Sequence, residues 1–368
     1  MVEMSQGHSR IVERLLLRAT REVHFLAALT PTNAKRERAR LVEAVRARRV
    51  AVPRWSYAPV AHDELRRSLC DAACALAKTS TTPLDALQQA RAHELSVEAA
   101  LCAAAGTGDV ARLAGERFPI PEERVARAAS ALCAKWLAES PQPPEAEEPL
   151  VESDSDDPRS LLSRMRARIG ALRLPFSVVA RSALAPLAAT GERVILIATG
   201  RLLGQRDTVR TVLHEIEGHA RPRARAGLAT LALFRVGTAR GTDDQEGRAL
   251  LIEERARLLD APRRRQLAAR HCCVEAMRNG GKFDDVARML VDKHAIDATD
   301  AVIVAERAFR GSDGMRMGLG RERVYLESFV RVRAHLERRP EDEAVLACGQ
   351  VSVDAAAVLA QFPFRLPR

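Results

Sequence analysis

The chain has 368 residues, a formal net charge of +10 and a pI near 9.8, and is 47% hydrophobic but only 4% aromatic. That length suits one large domain or two ordinary ones with a sizeable core, and the many Ala, Leu and Arg residues favour helices over sheets. A basic excess allows a nucleic-acid or acidic partner. The arginines, however, are spread along the whole chain with no stripe of interleaved aromatics, which disfavours nucleic-acid binding.

Apolar residues recur at helical spacing over 9–29, at Ile11, Leu15, Leu16, Ala19, Val23 and Leu26. Charges interrupt this first stretch, so it does not read as a signal peptide, and no apolar run reaches transmembrane length. Thr30-Pro31-Thr32-Asn33 breaks the pattern, with Thr32 or Asn33 placed to cap a helix running through Glu37 to Val45. Pro53 and Pro59 bracket an extended segment, and helical patterns follow at 62–78, 83–105 and 122–138. The stretch 139–158 is acidic, Pro-rich and poor in apolar residues, and reads as a solvated loop or linker. It separates a helical region, 1–138, from a second region, 159–368, and the two are expected to pack as one unit. The seven cysteines are odd in number and lack C-x-x-C or finger spacing, as expected of reduced thiols in a cytoplasmic protein. Cys70 and Cys74, one helical turn apart, read as buried small hydrophobes.

After the acidic stretch, 159–172 is helical, while 175–181 and 192–199, rich in Val and Ile, read as strands with a turn at Gly191. A helix begins near Arg206. Helical patterns continue at 223–235, 245–278, 283–293 and 297–309, and a Gly-rich loop at 311–320 leads to a last long helix near 323–338. The expectation is an α+β chain, mostly helical, with a small sheet.

The chemistry concentrates in 210-RTVLHEIEGHARP-222. His214 and His219 stand five apart, with Glu215 beside the first. On an α-helix residues i and i+4 lie about 40° apart, but i and i+5 about 140°. The pair can share a face only across a π-bulge, a departure that gathers at functional sites, and Gly218 eases it. Zinc that does chemistry needs three protein ligands and an open position. The nearby helix start 242-TDDQEGRALLIEE-254 offers carboxylates at Asp243, Asp244 and Glu246. His93-Glu94 has no second histidine at useful spacing and reads as structural.

HEIEGH followed by QEGRAL resembles the flavohaemoglobin expression-modulating QEGLA-motif family, which is similar to the tubulin tyrosine carboxypeptidase, a zinc metallopeptidase. Further resemblance lies in 29-LTPTNAKRERARLVEAVRARRVAVPRWSYAP-59, 309-FRGSDGMRMGLGRERVYL-326 and 345-VLACGQVSVDAAAVL-359, nearly the whole chain apart from the acidic stretch. The resemblance implies a zincin-like metallopeptidase fold, with the active-site helix beside the small sheet. It also implies a zinc ion (Zn2+) held by His214, His219 and Glu246, and Glu215 as general base toward zinc-bound water. Asp243 and Asp244 are then left to cap the helix or to hold a ligand histidine.

The activity so implied is a carboxypeptidase that removes a C-terminal residue, tyrosine-like in the characterised relative, from a peptide or protein. Such an enzyme must grip a terminal carboxylate. Arg310 and Arg321 suit that task through the guanidinium fork, and Tyr325 can donate to a developing oxyanion. The strand 193–199 is expected to lie at a sheet edge and to pair with an extended substrate. Three departures from the family stand out: Glu217 where relatives have a small residue, Pro222 with its basic flanks, and Gly320-Arg321-Glu322 in place of Thr-Lys-Asp. The competing readings are a regulatory, catalytically silent zinc-binding protein of the same fold, and a basic nucleic-acid binder.

Overall fold

In the computed structural model, the described residues are 2–79, 82–140, 149–182, 184 and 186–362. The chain divides into two compact units, each drawn from two stretches: Met1–Glu139 with Arg263–Glu327, and Ser140–Pro262 with Ser328–Arg368. Among the described residues helices predominate, with two small sheets, and no helix is long and apolar enough to cross a membrane. All seven cysteines are free.

The first unit is helical. Most of the elements expected from periodicity are present, among them Ala34–Arg46, Asp63–Thr79, Pro83–Ala103, Glu123–Leu137, Phe283–His294 and Ala298–Ala308. The helix Asp109–Arg117 was not expected, because Gly106 and Gly108 mask its start. Thr82 caps the Pro83–Ala103 helix: its hydroxyl accepts from the Asp85 N–H, and Asp85 reaches back to the Thr82 N–H. Asn33 precedes its helix without a capping bond. Its side chain instead ties down the extended 50–59 segment, accepting from the Ser56 N–H and donating to the Arg54 carbonyl. One core gathers Phe283, Phe309, Leu41, Val302 and Leu290; a second gathers Leu29, Leu101, Val110 and Phe118. Cys70 is half-buried and Cys74 exposed, so neither is the core residue expected.

The second unit carries the strands β1 Val151–Glu152, β2 Ser177–Arg181, β3 Ala188–Thr190, β4 Val194–Ala198 and β5 Leu202–Leu203. β2 and β4 run parallel, and β3 pairs antiparallel on the other side of β4. β4 is therefore central. The expectation that 193–199 is an edge strand fails, because the three-residue β3 is too short to show in the sequence yet occupies that edge. β1 pairs with β5. Ser153 is buried, donates its hydroxyl to the Ala198 carbonyl and accepts from the Arg201 N–H, so the acidic stretch is tied to the fold at Val151–Ser153 while much of 149–158 stays exposed. Residues 141–148 of that stretch lie outside the described residues.

Leu161, Leu162, Met165 and Ile169 of the Leu161–Ala171 helix pack on Val178, Ile195 and Ile197 of the sheet. Ile216 and Ala220 fill the same core, which fixes one face of the HEIEGH segment against the sheet. The pattern expected as one helix over 245–278 is two, Gly241–Arg255 and Ala261–Arg278, broken where Arg257 takes a positive φ of 58°.

Candidate metal centre

The Gln205–Leu213 helix continues into a π-helical turn, His214–Ala220, and then the helix Arg221–Gly227. In this turn the Arg221 N–H bonds to the Ile216 carbonyl five residues back, so residues i and i+5 stack one above the other. That register puts His214 and His219 on one face, ring centroids 5.0 Å apart. Pro222 completes the local accounting. Its nitrogen has no hydrogen to give to the Glu217 carbonyl, and Arg248 donates there instead, at 3.1 Å. Glu217 points away from the histidines to Arg168 and Arg221, at 2.9 and 2.8 Å. The larger side chain therefore leaves the face that carries the histidines clear.

The Gly241–Arg255 helix crosses this turn. Its Glu246 Oε2 lies 3.4 Å from His214 Nε2 and 3.7 Å from His219 Nε2, and the two Nε2 atoms are 3.2 Å apart. The three side chains are only 12, 13 and 13% exposed. For ligand bonds of about 2.0–2.1 Å at tetrahedral angles the donor–donor edge is about 3.3 Å. The three donors are thus already spaced for one small cation, and two imidazoles with a carboxylate are a donor set that zinc accepts. Among the described residues, no other group of three or more His, Cys, Asp or Glu residues converges in this way.

The rings are aimed by their second nitrogens. His214 Nδ1 meets Glu253 Oε1 at 2.7 Å, and Glu253 is buried. His219 Nδ1 meets Gln245 Oε1 at 2.9 Å, while the other end of that amide donates to the Gly349 carbonyl at 3.1 Å. Because the Gln245 nitrogen is committed to a carbonyl, its oxygen must accept from His219, so the ring carries its proton on Nδ1. The Nε2 lone pairs are left for a cation. Burial acts to lower the pKa of His214, but the carboxylates of Glu246 and Glu253 outweigh it and raise the value to about 10.

The histidine Nδ1 atoms are thus met by Glu253 and Gln245, where the sequence had offered Asp243 and Asp244 for capping or for holding a histidine. Asp244 accepts from the Val353 N–H at 2.9 Å and pairs with Arg331 at 3.1 Å, and Asp243 accepts from the Thr242 hydroxyl. The orienting residues, Gln245 and Glu253, were missed. A signal existed in the i, i+7 spacing of Glu246 and Glu253, which places both on one helix face.

Glu215 is 8% exposed, and its Oε2 accepts from the Thr190 hydroxyl at 2.6 Å. Thr190 ends β3, so the edge strand reaches the carboxylate beside the ligand pair. Gly247 serves packing: a Cβ there would collide with the backbone of Ser328 and Phe329. Each letter of Gln245-Glu246-Gly247 thus has a physical duty. The glutamine orients a histidine, the glutamate completes the donor set, and the glycine permits a close crossing.

A family profile described as microtubule-associated tyrosine carboxypeptidase matches residues 45–364. The chain belongs to that family. A comparison with curated protein sequences finds no match. The stretch shared with the microtubule-associated tyrosine carboxypeptidase family includes every residue of the donor cluster and its supports.

The remaining expected residues, Arg310, Arg321 and Tyr325, lie in the first unit. There the Arg321 guanidinium sits 5.6 Å from the Tyr325 ring centroid and donates to its hydroxyl at 3.4 Å. Arg310 is half-buried; burial first, and then the nearby Arg307, lower its pKa to about 10. His93 pairs with Glu116 on the surface at 3.3 Å, in keeping with a structural role.

Proposed function

We propose that the protein is a zinc-dependent carboxypeptidase of zincin-like architecture that removes a C-terminal residue, tyrosine-like by analogy with the family, from a peptide or protein. The reading rests on one observation: two histidine nitrogens and a glutamate oxygen converge at 3.2, 3.4 and 3.7 Å with the histidines' outer nitrogens already engaged. His214, His219 and Glu246 would hold the ion, which when bound supplies Lewis acidity, acidifying water and polarising a carbonyl. Glu215, held by Thr190, takes the proton from the attacking water and passes it to the leaving amine. Arg310 and Arg321 are assigned to the chain-end carboxylate and Tyr325 to the developing oxyanion, on the chemistry of guanidinium and phenol. Seven free thiols suit a reducing, cytoplasmic setting.

The test combines metal analysis with turnover. The parent should bind one zinc per chain and cleave peptides with a free C-terminus but not amidated ones. Glu215→Gln should keep the metal and lose hydrolysis, and His219→Ala should lose both. Zinc binding with no cleavage across peptides of varied C-terminal residue would overturn the enzyme reading in favour of a regulatory zinc protein.

A further inference from the structure

The first unit holds a second concentration of charge, centred on Glu322. This carboxylate is 1% exposed and follows Gly320, whose positive φ of 62° opens the one-turn helix Arg321–Arg323. Arg307 Nε lies 3.1 Å and Arg270 Nε 3.7 Å from the same oxygen, Glu322 Oε2. None of these three buried atoms makes a hydrogen bond. Arg310 and Arg321 are near enough for their charges to act on Glu322. Arg270, only 8% exposed, is stacked over the Tyr325 ring at 5.0 Å. The other nearby acid, Glu306, is taken by Arg38 through two bonds of 2.8 Å.

Four guanidinium groups thus share one carboxylate. Arg321 contacts the neutral Tyr325 and keeps its charge, so the cluster carries an excess of three positive charges. Burial first and the neighbouring guanidiniums second draw the pKa of both Arg270 and Arg310 down to about 10. Desolvated like charges repel, and the repulsion is relieved when negative charge arrives. Arg307 keeps 19% of its side chain exposed, and Arg310 and Arg321 are also partly open, which gives a ligand a way in.

We propose that Arg270, Arg307 and Arg310, held in place by Glu322, form a binding site for a dianionic oxyanion of the phosphate type. A dianion offsets most of the excess, and oxygen acceptors match the donor fork of arginine. Glu322 is the positioning residue: it gathers the arginines without neutralising them. The site includes Arg310, so on the carboxypeptidase reading the anion competes with a substrate's chain end. Binding itself does not depend on that reading.

The experiment is calorimetric titration of the full chain with inorganic phosphate at constant ionic strength, beside acetate. One phosphate per chain is expected, and binding should weaken at least tenfold in Arg270→Gln and in Arg307→Gln. Should either variant fail to fold, phosphate protection of Arg270, Arg307 and Arg310 in the parent against an arginine-selective dicarbonyl, read by mass spectrometry, takes its place. Phosphate bound no more tightly than acetate, folded variants that bind like the parent, or no protection, overturns the site. In a peptide-cleavage assay, phosphate should raise KM and leave kcat alone; an unchanged KM despite binding refutes the shared site. Absence of any cleavage by the parent counts against the peptidase reading and leaves the binding result standing.

Discussion

Gly218 tests the geometry of the metal centre most sharply. It lies where the π-helical turn crosses the Gly241–Arg255 helix, and a Cβ at this position would stand 2.6 Å from Ala249 Cβ. Carbon atoms in contact need about 3.8 Å, so Gly218→Ala must part the two helices by roughly 1 Å. Glu246 is three residues before Ala249, on the same face of the same helix, and moves with it. Its present distances of 3.4 and 3.7 Å from the histidine nitrogens would then open well beyond the tetrahedral edge, whereas metal–ligand bonds tolerate about 0.2 Å. The expected cost is about 1–3 kcal/mol of stability from overpacking and a fall in zinc affinity of about 100-fold, measured by thermal unfolding and by competition with a chromophoric chelator. Adding Ala249→Gly removes the opposing methyl and leaves the new Cβ 3.4 Å from the Cα. The double variant should recover most of the zinc affinity, though a helical glycine retains a stability cost of about 1 kcal/mol. Parent-like zinc binding by Gly218→Ala, or no recovery in the double variant, would refute the argument that the close crossing sets the ligand spacing.

The other predictions concern the supports and the pH response. Glu253→Gln keeps an acceptor for His214 Nδ1 but removes the charge, and should lower zinc affinity about tenfold in the same chelator assay; no change would show that the charge is immaterial. Thr190→Val removes the 2.6 Å bond to Glu215; kcat for peptide cleavage should drop about tenfold with KM and zinc content unchanged, and Thr190→Ser should restore it. Burial above all raises the Asp244 pKa from 3.8 to about 6, so its contribution favours the fold below the unfolded value and is lost as the pH rises through 6. Asp244→Asn, which keeps an acceptor for the Val353 N–H, should therefore gain about 2 kcal/mol relative to the parent between pH 4 and pH 7, as measured by urea unfolding. A constant difference across that range would assign Asp244 an ordinary pKa.

The sequence by itself determined the helical character, most helix positions, two strands and the histidine pair, while the choice of Glu246 over Asp243 and Asp244 as third donor came from the family resemblance. Local periodicity and side-chain chemistry are written residue by residue, and the five-residue spacing of His214 and His219 admits only a widened turn if they are to act together. Tertiary structure decided the rest. The three-residue β3 is too short to carry a period, so only the assembled sheet shows that β4 is central and that Thr190 reaches Glu215. The duties of Gln245, Glu253 and Gly218 depend on the angle at which two helices cross, and no property of either helix alone fixes that angle. The charge balance around Glu322 likewise arises from residues 270, 307, 310 and 321, far apart in the chain and joined only by packing. Long-range electrostatics and helix crossings are properties of positions in space, and that is why they were not legible in the order of the residues.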